Sequence, residues 1–117
     1  MEPRKAVASL SALAHEGRLA VFRMLVPAGP EGLSAGEIAR RLDTPPNTLS
    51  ANLNILFNAD LVDSRREGRS IIYTARYEHM STLLEFLMQD CCGGSPAICE
   101  RLSAILARSR CVDATPV

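Results

Sequence analysis

Residues 33–56 read LSAGEIARRLDTPPNTLSANLNIL, and the fold follows from how this stretch divides. Ser34 and Glu37 have the spacing of a capping box, in which two side chains reciprocally satisfy orphan backbone N–H groups at a helix start. A short helix is expected from there through Leu42. Asp43 and Thr44 then make a tight turn, with Thr44 as N-cap and Pro45 as the first residue of the next helix. That helix carries Leu49, Leu53, Leu56 and Phe57 on one face. Two short helices joined by a tight turn, the second anchored by one apolar face, have the form of a helix-turn-helix. With that face inward, Asn47, Thr48, Ser50, Ala51 and Asn54 lie on the outer part of the helix, toward its N-terminal half. Asn pairs bidentately with adenine and Ser and Thr serve base edges or phosphates, so this row suits major-groove readout.

Downstream, Leu61-Val62 and Ile71-Ile72-Tyr73 flank a polar segment whose Glu67-Gly68 suits a hairpin turn, giving a two-stranded wing between Leu61 and Ala75. Arg65, Arg66 and Arg69 surround that turn and offer guanidinium groups to phosphate or to a narrow minor groove, with Arg40 and Arg41 adding charge nearby. Upstream, Leu10, Leu13 and Ala14 mark a first helix. Leu19, Phe22, Leu25 and Val26 mark a second, which the loop Pro27 to Gly32 ends. After the wing, Met80, Leu83, Leu84, Leu87 and Met88 keep an unbroken helical stripe. Gly93-Gly94 breaks it, and Ser95-Pro96 opens a last helix with Ile98, Leu102, Ile105 and Leu106. The expected class is mainly α with a β-hairpin wing.

The chain of 117 residues is 47% hydrophobic, enough for one domain over 1–117 with its own core. Thirteen basic and thirteen acidic side chains cancel, so a nucleic-acid partner must be argued from local placement and not from net charge. No stretch has the apolar length of a membrane span or the pattern of a signal peptide, which makes the cytoplasm the expected compartment. No cofactor loop is present and no base is placed beside a nucleophile, so an enzyme is not expected.

Four cysteines in a reducing compartment are ligands, redox switches or core residues before they are disulfides. Cys91 and Cys92 are adjacent at the end of the long helix, and Cys99 opens the next one across Gly93-Gly94, so a chain reversal would gather three sulfurs in the segment 90–111. Three thiolates without a dependable fourth ligand suit an ion that prefers three-coordination, As(III) or Sb(III), whereas Zn(II) usually takes four. The resulting site is formally neutral and can lie against apolar helices. The alternatives are small-hydrophobe packing and a thiol switch for oxidants or sulfide, with Cys99 forming a disulfide to one of the pair, and Cys111 reads as a tail residue. His15 and His79 read as surface or capping residues.

The segments ALAHEGRLAVFRML (residues 12–25), LSAGEIARRL, PPNTLSANLNIL and ADLVDSRREGRSIIY together resemble the ArsR/SmtB family of metalloregulatory repressors across most of residues 10 to 75. The resemblance implies a winged helix-turn-helix homodimer built from the first helix, with Leu10, and from the Met80 to Met88 helix, with Met80, Leu83, Leu84 and Leu87. Such a dimer presents two recognition helices to an inverted-repeat operator in double-stranded DNA. Many members have His or Arg where this chain has Ala51 and Asn52. The spacing of Cys91, Cys92 and Cys99 is similar to C-terminal arsenite sites of arsenic-responsive members, which implies As(III) or Sb(III) as inducer.

Overall fold

The computed structural model describes residues 1–88. In chain order the elements are α1 (Pro3–Leu13), α2 (Glu16–Ala28), a 3-10 turn (Gly29–Glu31), β1 (Leu33–Ser34), α3 (Ala35–Leu42), α4 (Pro46–Asn58), β2 (Val62–Glu67), β3 (Ser70–Ala75) and α5 (Tyr77–Leu87). The strands form one antiparallel sheet in the order β1-β3-β2.

Helices and hairpin share a core. Val21, Phe22 and Leu25 of α2 meet Ile38 of α3, Leu49, Leu53 and Leu56 of α4, and Leu61, Val62 and Ala75 of the wing base. Leu25, Ile38, Leu56, Leu61 and Val62 are fully enclosed, which fixes the wing's root to the same apolar centre that seats α4. The fully buried residues of α1 are all small, Ala6, Ser9 and Ala12, and Leu13 at its end packs partly buried against the core.

Several local expectations shift by a residue, each for a definable reason. α4 starts one position later than its proline pair suggests. Pro45 precedes another proline and is held in extended geometry (φ −59°, ψ 143°), so it becomes the N-cap and Pro46 the first helical residue. Thr44 does not cap α4; its hydroxyl donates to the Leu42 carbonyl (3.2 Å). Only half of the capping box forms. Ser34 Oγ accepts from the Glu37 N–H (3.1 Å), while the Glu37 carboxylate turns to Arg40 and Arg41.

Pro27 lies inside α2, in its last turn, and the helix stops one residue later at Ala28, where Gly29 takes a positive φ of 67° that leaves the helical region. The expected loop from Pro27 to Gly32 is therefore partly helical. β1 was not expected at all; its two residues pair Leu33 with Tyr73 and Ser34 with Ile72, making the sheet three-stranded.

The hairpin register runs from Val62 opposite Ala75 to Glu67 opposite Ser70. The turn is thus Gly68-Arg69, one residue beyond Glu67-Gly68, and only Gly68 has positive φ (63°). A two-residue loop with glycine first is the type II′ geometry whose twist matches the flanking strands.

Candidate nucleic-acid interface

α4 presents its outer face as expected. At about 100° per residue, Asn47, Ser50, Ala51, Asn54 and Phe57 fall within a sector of roughly 120°, opposite the buried Leu49 and Leu56. Asn47, Ser50, Ala51 and Asn54 are all exposed. Thr48 is exposed too but lies outside that sector, beside Ile55. Phe57 was expected in the core; it is 43% exposed, because it sits past Leu53 at the edge of the apolar face.

Between α4 and the sheet runs a groove of about 560 Å³ lined by Ser50, Ala51, Leu53, Asn54, Phe57, Ser64 and Tyr73. Ser64 and Tyr73 face each other in the register of β2 and β3. Sequence reasoning missed Ser64, Tyr73 and Phe57 as groove residues. The period-2 alternation of the hairpin carried that signal, since Ser64 shares a face with the buried Val62.

The same alternation separates the wing arginines. Arg66 follows Val62 and Ser64 on the face toward α4, whereas Arg65 is on the opposite face. Arg65 is not a free cation. Its guanidinium donates to the carbonyls of Pro30 (3.0 Å) and Glu31 (2.9 Å) and to Glu67 Oε2 (2.7 Å), tying the wing to the connection after α2. Three of the five N–H donors of Arg65 are thus engaged within the chain, so the residue expected to contact DNA also anchors the wing. Arg66 and Arg69 are exposed and form no ion pair with the described residues. Arg40 and Arg41 share the single carboxylate of Glu37.

On the side of α4 away from its exposed row, α1 and α2 pack against the helix. His15 caps α2, its Nδ1 accepting from the N–H groups of Gly17 (3.1 Å) and Arg18 (3.3 Å). Arg18 Nε donates to the Ala12 carbonyl (2.6 Å) and so closes the C-terminal end of α1. Asn52 is 7% exposed, and a side chain at Gly17 would meet its Nδ2 at 3.0 Å. Of the Ala51-Asn52 pair, only Ala51 faces outward; Asn52 belongs to the seam between α2 and α4.

A helix-turn-helix domain model matches residues 13–65. The chain is 34% identical over 88 residues to the transcriptional activator HlyU of Vibrio cholerae, covering 75% of this chain and 79% of that protein. It is 37% identical over 84 residues to the biofilm growth-associated repressor of Agrobacterium fabrum, covering 71% and 68%. Among solved structures, reduced HlyU superposes with a TM-score of 0.61 at 34% identity, over 74% of this chain and 87% of that one. The homodimeric winged helix-turn-helix DNA-binding domain Mb0332 of Mycobacterium bovis, described as a possible ArsR-family transcriptional regulator, gives 0.61 at 27% identity, over 73% and 76%.

The chain belongs to the ArsR family. Its architecture is accordingly a winged helix-turn-helix, with α3 and α4 as the helix-turn-helix and β2-β3 as the wing, in a family of DNA-binding transcriptional regulators.

In this ArsR-family chain the residues expected to pair protomers divide. Leu10 (41% exposed), Leu84 (45%) and Leu87 stand open, Met80 leans on the core, and Leu83 is 1% exposed. Leu83 is therefore internal packing and not part of an open face. Cys91, Cys92, Cys99 and Cys111, with the segment 90–111, lie outside the described residues. Among the described residues no helix is long and apolar enough to cross a membrane.

Proposed function

We propose that this chain is a dimeric repressor that binds an inverted-repeat operator and is released when As(III) or Sb(III) is captured by Cys91, Cys92 and Cys99. The observation that carries the DNA half of this reading is the uncommitted polar row of α4 beside Arg66 and Arg69, on one side of a rigid core. Phosphate contacts from the wing set register, and base contacts from α4 supply sequence preference. Dimerisation through Leu10, Leu84 and Leu87 gives the two-fold arrangement that an inverted repeat demands.

The inducer half rests on ligand chemistry. Three soft thiolates at this spacing match a soft trivalent ion, and the neutral complex is compatible with an apolar helix end. Release requires that arsenite favour a dimer geometry that fits DNA poorly. Such coupling is typically about 1 to 3 kcal/mol and is reciprocal, so operator DNA weakens arsenite binding by the same factor.

A second reading has one observation in its favour: HlyU, a relative at 34% identity, is described in a reduced form. In that reading the cysteines sense oxidants through a disulfide between Cys99 and Cys92. The test is fluorescence anisotropy of the protein on its upstream promoter DNA, titrated with arsenite under reducing conditions, for wild type and Cys99→Ser. Arsenite releases the wild type and leaves the variant bound if the sensor reading holds. Release by oxidant alone identifies the thiol switch.

A further inference from the structure

The outer face of α4 has a chemistry that restricts which base pairs it can read. From Pro46 to Asn58 the helix contains no Lys, Arg, His, Asp or Glu. Guanine is most often read by a bidentate Arg or Lys on O6 and N7, and cytosine by an acidic acceptor for its amino group; this helix has neither. The outward row holds Asn47, Ser50, Ala51 and Asn54. A carboxamide matches the N7 acceptor and N6 donor of adenine, and a side-chain methyl packs on the thymine 5-methyl.

These side chains are also uncommitted. Ser9, Ser34, Thr44 and Thr82 engage their hydroxyls in hydrogen bonds within the chain, whereas no side-chain hydrogen bond ties Asn47, Ser50 or Asn54 to the described residues. Their donors and acceptors remain available to a ligand. Asn47 and Asn54 are seven residues apart, about 10.5 Å along the helix, which matches about three base-pair steps of 3.4 Å, with Ala51 between them. On the wing, Arg66 shares the face that borders the groove and Arg69 occupies the turn, while Arg40 and Arg41 at the end of α3 pair with Glu37; these cations suit phosphates rather than bases.

We propose that the half-site under α4 is made of A·T pairs, with Asn47 and Asn54 each on an adenine and the Ala51 methyl against a thymine 5-methyl. This rests on the operator reading above and specifies its base content.

Selection of the full chain against a randomised duplex library, followed by anisotropy on the recovered sequence with single thymines replaced by deoxyuracil, tests it. The expected result is A·T pairs in each half-site and one thymine whose 5-methyl is worth about fourfold in affinity, the transfer value of one methylene-sized group. Ala51→Gly then binds the thymine and deoxyuracil duplexes equally. Asn54→Ala loses at least about fivefold of its discrimination between adenine and guanine at one position. Recovery of G·C pairs at the contacted positions, or a deoxyuracil scan without effect on the wild type, overturns the inference and leaves the operator reading intact. Retention of no duplex at all overturns both.

Discussion

The Ser9 hydroxyl of α1 lies 2.8 Å from Nε2 of His79 on α5 and 3.5 Å from the Ala59 carbonyl, so one buried side chain links α1 to α5 and to the end of α4. Burial holds His79 below the ordinary imidazole range. Arg76 and Lys5 act in the same direction, and Asp60 opposes them. The unfolded chain therefore binds more protons than the folded one just below the unfolded value of 6.5, and stability rises with pH there. The contribution is fully present above 6.5 and is lost as pH falls below it. Urea unfolding at pH 7.5 and 5.5 is expected to show a larger loss for the wild type than for His79→Gln. Equal losses contradict this account.

Ser9→Ala removes the shared hydroxyl and is expected to cost about 1 kcal/mol, the net worth of one such hydrogen bond. The measurement is denaturant unfolding at pH 7.5, where His79 is neutral in both states.

Gly32 and Gly36 should respond oppositely to alanine. Gly32 has φ of 68°, and a Cβ there would collide with the Tyr73 carbonyl oxygen and approach Thr74 Cγ2 (2.7 Å) and Ile72 Cγ2 (2.8 Å). Gly32→Ala is expected to cost about 3 kcal/mol from the strained backbone and the clash together. Gly36, in the first turn of α3 with open space around it, is expected to gain up to about 1 kcal/mol as alanine. Thermal melts of the two variants decide this, and a tolerated Gly32→Ala refutes the close approach of β3.

Arg65 and Arg66 are neighbours with different work. Arg65→Ala is expected to lower stability by about 1 kcal/mol through loss of its bonds to Pro30 and Glu31. Arg66→Ala is expected to leave the melt unchanged and to reduce the salt dependence of DNA binding, the slope of log K against log[salt] falling by about 0.9 for one lost phosphate contact. Reversed behaviour of the pair overturns the assignment of wing faces.

Leu10→Glu places a charge on an open face and is expected to shift sedimentation toward the monomer while the fold survives. Leu83→Ala empties an enclosed position and is expected to cost about 2–5 kcal/mol of stability instead.

Residues 33–56 and the hairpin were legible because their signals are local: a cap, a proline pair, and apolar positions at helical or alternating spacing. The exposed row Asn47, Ser50, Ala51 and Asn54 follows from the same periodicity. What escaped depends on distant partners. β1 is too short to show a period and exists only because β3 lies beside it. Arg65 looks like a wing-tip cation until the carbonyls of Pro30 and Glu31, more than thirty positions away, are brought to it. Leu83 reads as part of an open stripe until its burial is seen.

The separation of charge from base-reading on this molecule has a kinetic consequence. On the proposed operator reading, the exposed guanidinium groups of Arg66 and Arg69 would hold any duplex, whatever its sequence, and less firmly as salt rises. A neutral α4 adds nothing to that hold. Ionic strength should therefore set how long the protein lingers and slides on random DNA without altering how sharply it distinguishes its operator once there. Search speed and fidelity can then be tuned separately, one by substitutions in the hairpin and the other by substitutions in the helix.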